Sequence, residues 1–317
     1  MSERHSRLEC FPNEIFICIF QYFDAQDLFR AFYHLNNRFN NLLQSLHYLS
    51  LTLKKFDSNN SQIFAPYIYT LKIDYAVNIN LKYFPNIHRI ILLSPTTNQL
   101  KQLVFNDLPY LEHLSIGYEH FLFSSYLSDL CEKIFSRNFP RLTSCYLFEP
   151  RILEIIPTLT QSIDIRILKM DNIDVLTYKD LLSLCPNLYF LQFTIVNQQE
   201  EFYPINPHLN LKRMIIKFQN LVQIYSDCQI RSYLSCVPCL EQLNIYEMNF
   251  NGNILEYIDY QWFSLLITNS LLFIRKLKYF LYIYGMKEND DEMINHLQRN
   301  FQSVHKNRYQ SQLFVIK

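Results

Sequence analysis

Cys185-Pro186-Asn187-Leu188-Tyr189-Phe190-Leu191-Gln192-Phe193 decides how this chain is read. Leu188, Leu191 and Phe193 occupy positions one, four and six of a Leu-x-x-Leu-x-Leu pattern. Its last two apolar residues are two apart, so in a strand they share one face, with Gln192 on the other. With Ile, Met, Phe or Cys also allowed, the pattern recurs along the chain. Upstream it begins at Leu46, Ile68, Ile87, Leu111, Leu142 and Ile165, and downstream at Leu211, Leu240 and more weakly Ile274. Successive starts lie from 19 residues (Ile68 to Ile87) to 34 residues (Leu240 to Ile274) apart.

A second signature fixes the register. Phe84-Pro85-Asn86-Ile87, Leu108-Pro109-Tyr110-Leu111, Phe139-Pro140-Arg141-Leu142 and Val237-Pro238-Cys239-Leu240 repeat the Pro of Cys185-Pro186-Asn187-Leu188, two residues before each start. Proline cannot continue a helix, and it biases the residue before it towards extended backbone, so each copy predicts the end of a helix and the approach to a strand. Between the strands, apolar residues recur at helical spacing over Tyr126–Phe135, Tyr178–Leu184 (Thr177 and Asp180 as caps), Val222–Val237 and Tyr257–Leu272. The expected fold is α/β, a solenoid of parallel strands alternating with helices. The period and pattern resemble leucine-rich repeats. Many such repeats carry Asn or Cys three residues after the last Leu. Here those places hold Ala76, Pro95, Glu119, Ile173, Val196 and Met248, which predicts irregular curvature. Met286–Lys317 reads as a C-terminal cap: an acidic loop (Asn289-Asp290-Asp291-Glu292), a helix and a Leu313-Phe314-Val315-Ile316 strand.

The N-terminus reads differently. Phe11-Pro12-Asn13-Glu14-Ile15 opens a short helix running to Phe23, with Pro12 at its first position. Ile15, Ile19 and Phe23 form an apolar stripe beside Phe16 and Phe20. Asp24 caps a second helix with Leu28, Phe29, Phe32 and Leu35 inward, and Asp27 lies in its first turn. Asn36 or Asn37 caps a third, with Phe39, Leu42, Leu43 and Leu46 inward. Three helices in about forty residues make too small a core to stand alone.

Residues 8–46 resemble the F-box, the module that docks proteins onto Skp–cullin–RING ubiquitin ligases. Phe11-Pro12 stands where that family has Leu-Pro, and Asp27-Leu28 at its acidic-leucine step. Leu35 and Phe39 replace the usual Val and Trp. With the repeats, the chain looks like an F-box protein with C-terminal leucine-rich repeats. The division expected is 1–46 F-box, 47–285 irregular repeats and 286–317 cap.

The resemblance implies a Skp adaptor as partner, and through it a cullin-RING ligase. The adaptor contacts would be Phe11, Pro12, Ile15, Ile19, Phe23, Leu28 and Leu35, some of which the module's own core could claim instead. A target protein would lie on the concave strand face, against His113, Ser115, Tyr146, Phe148, Lys169, Asp171, Gln192, Thr194, Asn244 and Tyr246. The alternative is a repeat scaffold whose degenerate F-box serves no ligase.

Composition favours no other class. The 317 residues carry 29 basic and 29 acidic side chains, so no bulk charge attracts nucleic acid. Arg275, Lys276 and Lys278, interleaved with aromatics, do not amount to a patch. No apolar run reaches membrane-spanning length, and Glu9, Pro12, Asn13 and Glu14 break up any signal-peptide core. The expected location is cytoplasmic or nuclear, with reduced and mostly buried cysteines. Three glycines leave little room for phosphate-cradling loops. Cys236-x-x-Cys239 has no second ligand pair, and His113/His120 and His296/His305 are not at helical ligand spacing. No catalytic residue, metal or cofactor is therefore expected, and the chain is read as a non-enzyme.

Overall fold

The computed structural model describes residues 10–54, 65–74, 79–104, 107–117, 124–136, 138–147, 161–195, 206–219, 227–249, 260–283, 291–305 and 308–316. The chain forms two compact units. One is Met1–Tyr126 with Asn138–Leu142; the other is Leu127–Arg137 with Thr143–Lys317.

The first unit opens with three helices, α1 (Asn13–Phe20), α2 (Ala25–Phe32) and α3 (Asn37–Ser45). Pro12 sits at the N-cap of α1, one place earlier than its spacing predicts, and the helix ends at Phe20 rather than Phe23. Asp24 caps α2 by accepting the Gln26 N–H at 2.9 Å. Asn36 caps α3 by accepting the Phe39 N–H at 3.0 Å. The core of the module is aromatic: Phe16 meets Phe39 edge-on at 5.0 Å, and Phe20 lies 4.8 Å from Phe32. Strands β1 (Leu49–Leu53), β2 (Ile68–Ile73), β3 (Arg89–Leu92) and β4 (His113–Ile116) follow, parallel and neighbouring in chain order. Helix α4 (Thr97–Gln102) starts in a capping box between Thr96 and Gln99.

The second unit holds seven more parallel strands in chain order: β5 (Ser144–Leu147), β6 (Ile167–Met170), β7 (Phe190–Thr194), β8 (Arg213–Gln219), β9 (Gln242–Asn249), β10 (Lys276–Ile283) and β11 (Gln310–Ile316). The helices are α5 (Ser124–Phe135, in this unit from Leu127), α6 (Val175–Leu184), α7 (Asp227–Ser235), α8 (Tyr260–Ser270) and α9 (Asp291–His305). Parallel neighbours require a crossover, and α6 to α9 supply it for β6–β7, β8–β9, β9–β10 and β10–β11. The fold is therefore α/β, parallel strands alternating with helices in the leucine-rich-repeat manner.

The repeat register is the one the pattern predicts. Every apolar position of the ten copies is buried except Leu46, which is the half-buried C-cap of α3. At roughly 1.5–3 kcal/mol for each buried Leu or Ile, these rows dominate the stability of the sheet. Each prolyl signature folds into a β-turn with Pro at its second position: the N–H of Ile87, Leu111, Leu142, Leu188 and Leu240 returns to the carbonyl three residues earlier. In one of the copies that lack the proline, at His208-Leu209-Asn210-Leu211, the buried His208 ring does the work. Its Nδ1 accepts the Leu211 N–H at 3.1 Å, so Nε2 carries the proton and donates to the Cys185 carbonyl at 2.9 Å. Burial lowers its pKa.

Several local expectations change. Asp174, rather than Thr177 or Asp180, caps α6, accepting the Thr177 N–H at 2.7 Å. Asp291 and Glu292 belong to the first turn of α9 rather than to a loop, where the helix dipole favours carboxylates; Asn289 and Asp290 lie outside the described residues, as do 222–226 and 257–259 of two predicted helices. Leu35 points to solvent instead of inward. Cys131, Cys145 and Cys185 are buried, with burial pushing the Cys131 and Cys185 thiols up to about 12, but Cys10 and Cys18 are exposed.

Candidate functional site

Two kinds of surface bring together the residues that the sequence singles out. The first lies on the helical module. Phe11, Ile15, Ile19 and Phe23 follow one another at four-residue steps and are 49%, 44%, 43% and 48% exposed. Residues four apart stack on one side of a helix, so Ile15 and Ile19 form a ridge on α1. Cys18, Tyr22, Pro12 and Leu35 are exposed as well. The module closes its core without any of them, using Phe16, Phe20, Leu28, Phe39, Leu42 and Leu43. Half-exposed apolar side chains in series carry a hydration cost that a partner would relieve.

Leu28 is the correction here. It is fully buried, so its side chain holds α2 in place and faces no partner. Sequence reading also missed Arg38. From α3 its Nε donates to Asn13 Oδ1 at 2.9 Å, its Nη2 donates to the Phe11 carbonyl, and its guanidinium lies over the Phe16 ring. It thereby fixes the start of α1. Nothing in the local pattern marks it, because both partners lie more than twenty residues upstream.

The second is the open strand face that each unit presents by itself. In the first unit His113 and Ser115 stand on the side of β4 opposite the buried Leu114 and Ile116. In the second unit Tyr146, Lys169, Gln192 and Asn244 fall in one cross-strand row, completed by Ile215 and Lys278. Thr194 and Tyr246 fall in the next, with Lys217, Phe280 and Phe314. All are half-buried or exposed, alternating with core residues. Phe148 lies outside the described residues.

Asp171, just past β6, gathers three of these side chains. Its Oδ2 accepts the Tyr146 hydroxyl at 2.9 Å, its Oδ1 accepts the Thr194 hydroxyl at 3.2 Å, and the Lys217 ammonium is 3.9 Å away. Burial, then the hydrogen bond and charge of Asp171, push the Tyr146 phenol up to about 12.

Sequence reading set Lys276 and Lys278 aside as too few for a basic patch and passed over Phe280 and Tyr282 of β10 and Phe314 of β11. Lys276, Lys278, Phe280 and Tyr282 alternate with core residues. Phe280 stacks on Tyr246 at 4.4 Å and 5°, and on Phe314 at 4.7 Å and 10°. The period-two run from Lys276 to Tyr282 was the available signal.

Among the described residues no group of three His, Cys, Asp or Glu side chains could hold a metal ion. Cys236 is buried with its thiol 3.1 Å from the Ser232 carbonyl, while Cys239 sits in the turn before β9. No helix among the described residues is long and apolar enough to cross a membrane.

No family model matches the sequence, and no curated protein does. Among solved structures the chain is similar to one from the crystal structure of the Rad7 and Elc1 complex in yeast. The identity is 14%, the match covers 87% of this chain and 90% of that one, and the TM-score is 0.40.

Proposed function

We propose that the chain is the target-recognition subunit of a Skp–cullin–F-box ubiquitin ligase. The observation that carries this reading is the Ile15–Ile19 ridge of α1, flanked by Phe11 and Phe23, all four left about half in water by a module whose buried core lies elsewhere. With Pro12 and Leu35, this ridge is the adaptor contact. The open strand face holds the target protein.

The chemistry belongs to the recruited conjugating enzyme. This chain makes and breaks no bond, uses no cofactor, and acts in the cytoplasm or nucleus by raising the effective concentration of target lysines near the charged enzyme. Asp24 supports that role mechanically. Its Oδ2 accepts the Thr52 N–H of β1 at 2.6 Å, so the module and the first repeat strand move together.

The test is co-expression with a Skp adaptor, comparing wild type with Ile15→Asp/Ile19→Asp. Both side chains are already partly in water, so circular dichroism should show an intact fold. Co-purification of the adaptor with wild type and its loss from the variant is the expected result. A soluble wild type that leaves the adaptor unbound defeats the ligase reading and leaves a leucine-rich-repeat scaffold.

A further inference from the structure

We infer that the open face of β8–β11 takes an acidic, extended segment of a partner protein, with carboxylates on Lys276, Lys278 and Arg213 and apolar side chains against the Tyr246–Phe280–Phe314 stack. This deepens the reading above by naming the chemistry of the target.

The face departs from the charge balance of the chain, whose 29 acidic and 29 basic side chains cancel. Its outward side chains include Arg213, Lys217, Lys276 and Lys278, with Lys169 two strands away on β6. The carboxylates beside them are already engaged. Asp171 is held by Tyr146, Thr194 and Lys217. Glu241, at the start of β9, lies 3.7 Å from both Lys212 and Arg275. Glu247 is turned into the core, where it accepts the Tyr279 hydroxyl. Among the described residues, Lys169, Arg213, Lys276 and Lys278 have no carboxylate within ion-pair distance. Three of them lie over rings instead: Lys169 over Phe190, Arg213 over Tyr189 and Lys278 over Phe314.

The registers set these groups on a grid. Arg213, Gln242, Lys276 and Gln310 are cross-strand neighbours; so are Ile215, Asn244, Lys278 and Gln312; so are Lys217, Tyr246, Phe280 and Phe314. Strands lie about 4.8 Å apart, and same-face residues recur about every 6.6 Å along a strand. Lys276, Lys278 and Phe280 thus present cation, cation and ring at the spacing at which an extended chain presents its own alternate side chains. The segment that fits is acid-x-acid-x-apolar, with Gln242, Asn244 and Gln312 available to its backbone.

The central ring of the stack is closed to a nucleic-acid base. Base binding by aromatics needs a free ring face. Here Phe280 is covered on both faces by Tyr246 and Phe314, and the Lys278 ammonium lies 5.9 Å from the Phe314 ring centre. A stack of this kind turns ring edges outward, and the edge is the positive rim of the quadrupole, which suits carboxylates and apolar groups.

The experiment is fluorescence anisotropy with the full chain and three fluorescein-labelled probes: a peptide of three Glu-Ser-Glu-Ser-Phe copies, the same peptide with Lys for Glu, and a single-stranded oligouridylate. The acidic peptide should bind at least about tenfold tighter than its basic counterpart, and more weakly as salt is raised. Lys276→Glu/Lys278→Glu should abolish binding, while Arg299→Glu on α9 leaves it unchanged. Tyr246→Ala should weaken it with the charges intact. Absence of binding by wild type, equal binding of both peptides, survival of binding in the double reversal, or tighter binding of the oligouridylate each overturns the inference. Adaptor co-purification is read on the same samples. An acidic peptide bound without the adaptor keeps this inference and removes the ligase reading; the reverse pattern does the opposite.

Discussion

The Thr52 N–H of β1 donates to Asp24 Oδ2 at 2.6 Å, while Asp24 Oδ1 accepts the Gln26 N–H at 2.9 Å. One carboxylate therefore both starts α2 and pins it to the first strand. Phe29 of α2 adds a ring contact to Tyr67, in the turn before β2.

Asp24→Ala loses the cap and leaves a strand N–H without its acceptor. Together these should cost about 2–3 kcal/mol. Burial raises the Asp24 pKa, so the carboxylate itself is held at some expense. Asp24→Asn keeps one acceptor oxygen without the charge and should cost less than Asp24→Ala. Urea unfolding of the two variants checks the order, and equal losses would contradict the two-bond account.

Leu28 and Ile19 separate core from contact surface. Leu28→Ala should destabilise by about 2–5 kcal/mol, as a cavity in a closed core does. Ile19→Ala, already half in water, should cost under about 1 kcal/mol while weakening binding of the proposed adaptor. A large stability loss at Ile19 would place it in the core and remove it from the contact.

His208 predicts an acid-sensitive step. Its folded pKa lies below the usual value of about 6.5, so between the two values the unfolded chain binds more protons. Stability therefore rises with pH across that window: the contribution is complete above about pH 6.5 and is lost as pH falls below it. Urea midpoints at two pH values, one above and one below that limit, should differ more in wild type than in His208→Gln. His305, also depressed by burial, leaves part of the slope in the variant. Equal slopes would show that His208 does not titrate with folding.

Tyr146 reports on Asp171. Asp171→Asn removes the neighbouring charge and should bring the phenol down from about 12, though not to the free value, because burial, the largest cause, remains. Carbon-13 NMR titration of the labelled tyrosine ring reads this directly. A pKa that stays put would assign the whole shift to burial.

The strand registers were legible because each copy repeats an apolar spacing and five of the ten carry the Pro signature whose turn precedes the strand. Caps were less legible: Asp174 took α6 ahead of Thr177 and Asp180 because it stands one residue before the helix and reaches the third N–H. The missing asparagine ladder has a counterpart that the repeat consensus does not describe. Asn86, Asn187 and Asn210 follow or replace the turn proline and donate to the carbonyls of Pro66, Ile163 and Pro186, each in the preceding repeat at 2.8–2.9 Å. The Pro-Asn pairs were visible, but their partners are twenty or more residues away, a distance at which spacing is silent. The same holds for Arg38, and for the joining of Lys276 and Lys278 to Arg213, which only the cross-strand register reveals.

The Asp24–Thr52 bond also bears on solubility. β1 pairs with β2 on one side only, so its other edge offers unpaired peptide groups of the kind that recruit foreign strands. Asp24 occupies one of those groups and α2 packs along the strand. Removing residues 1–46 would therefore do more than delete three helices: it would bare a strand edge, and the shortened chain should self-associate.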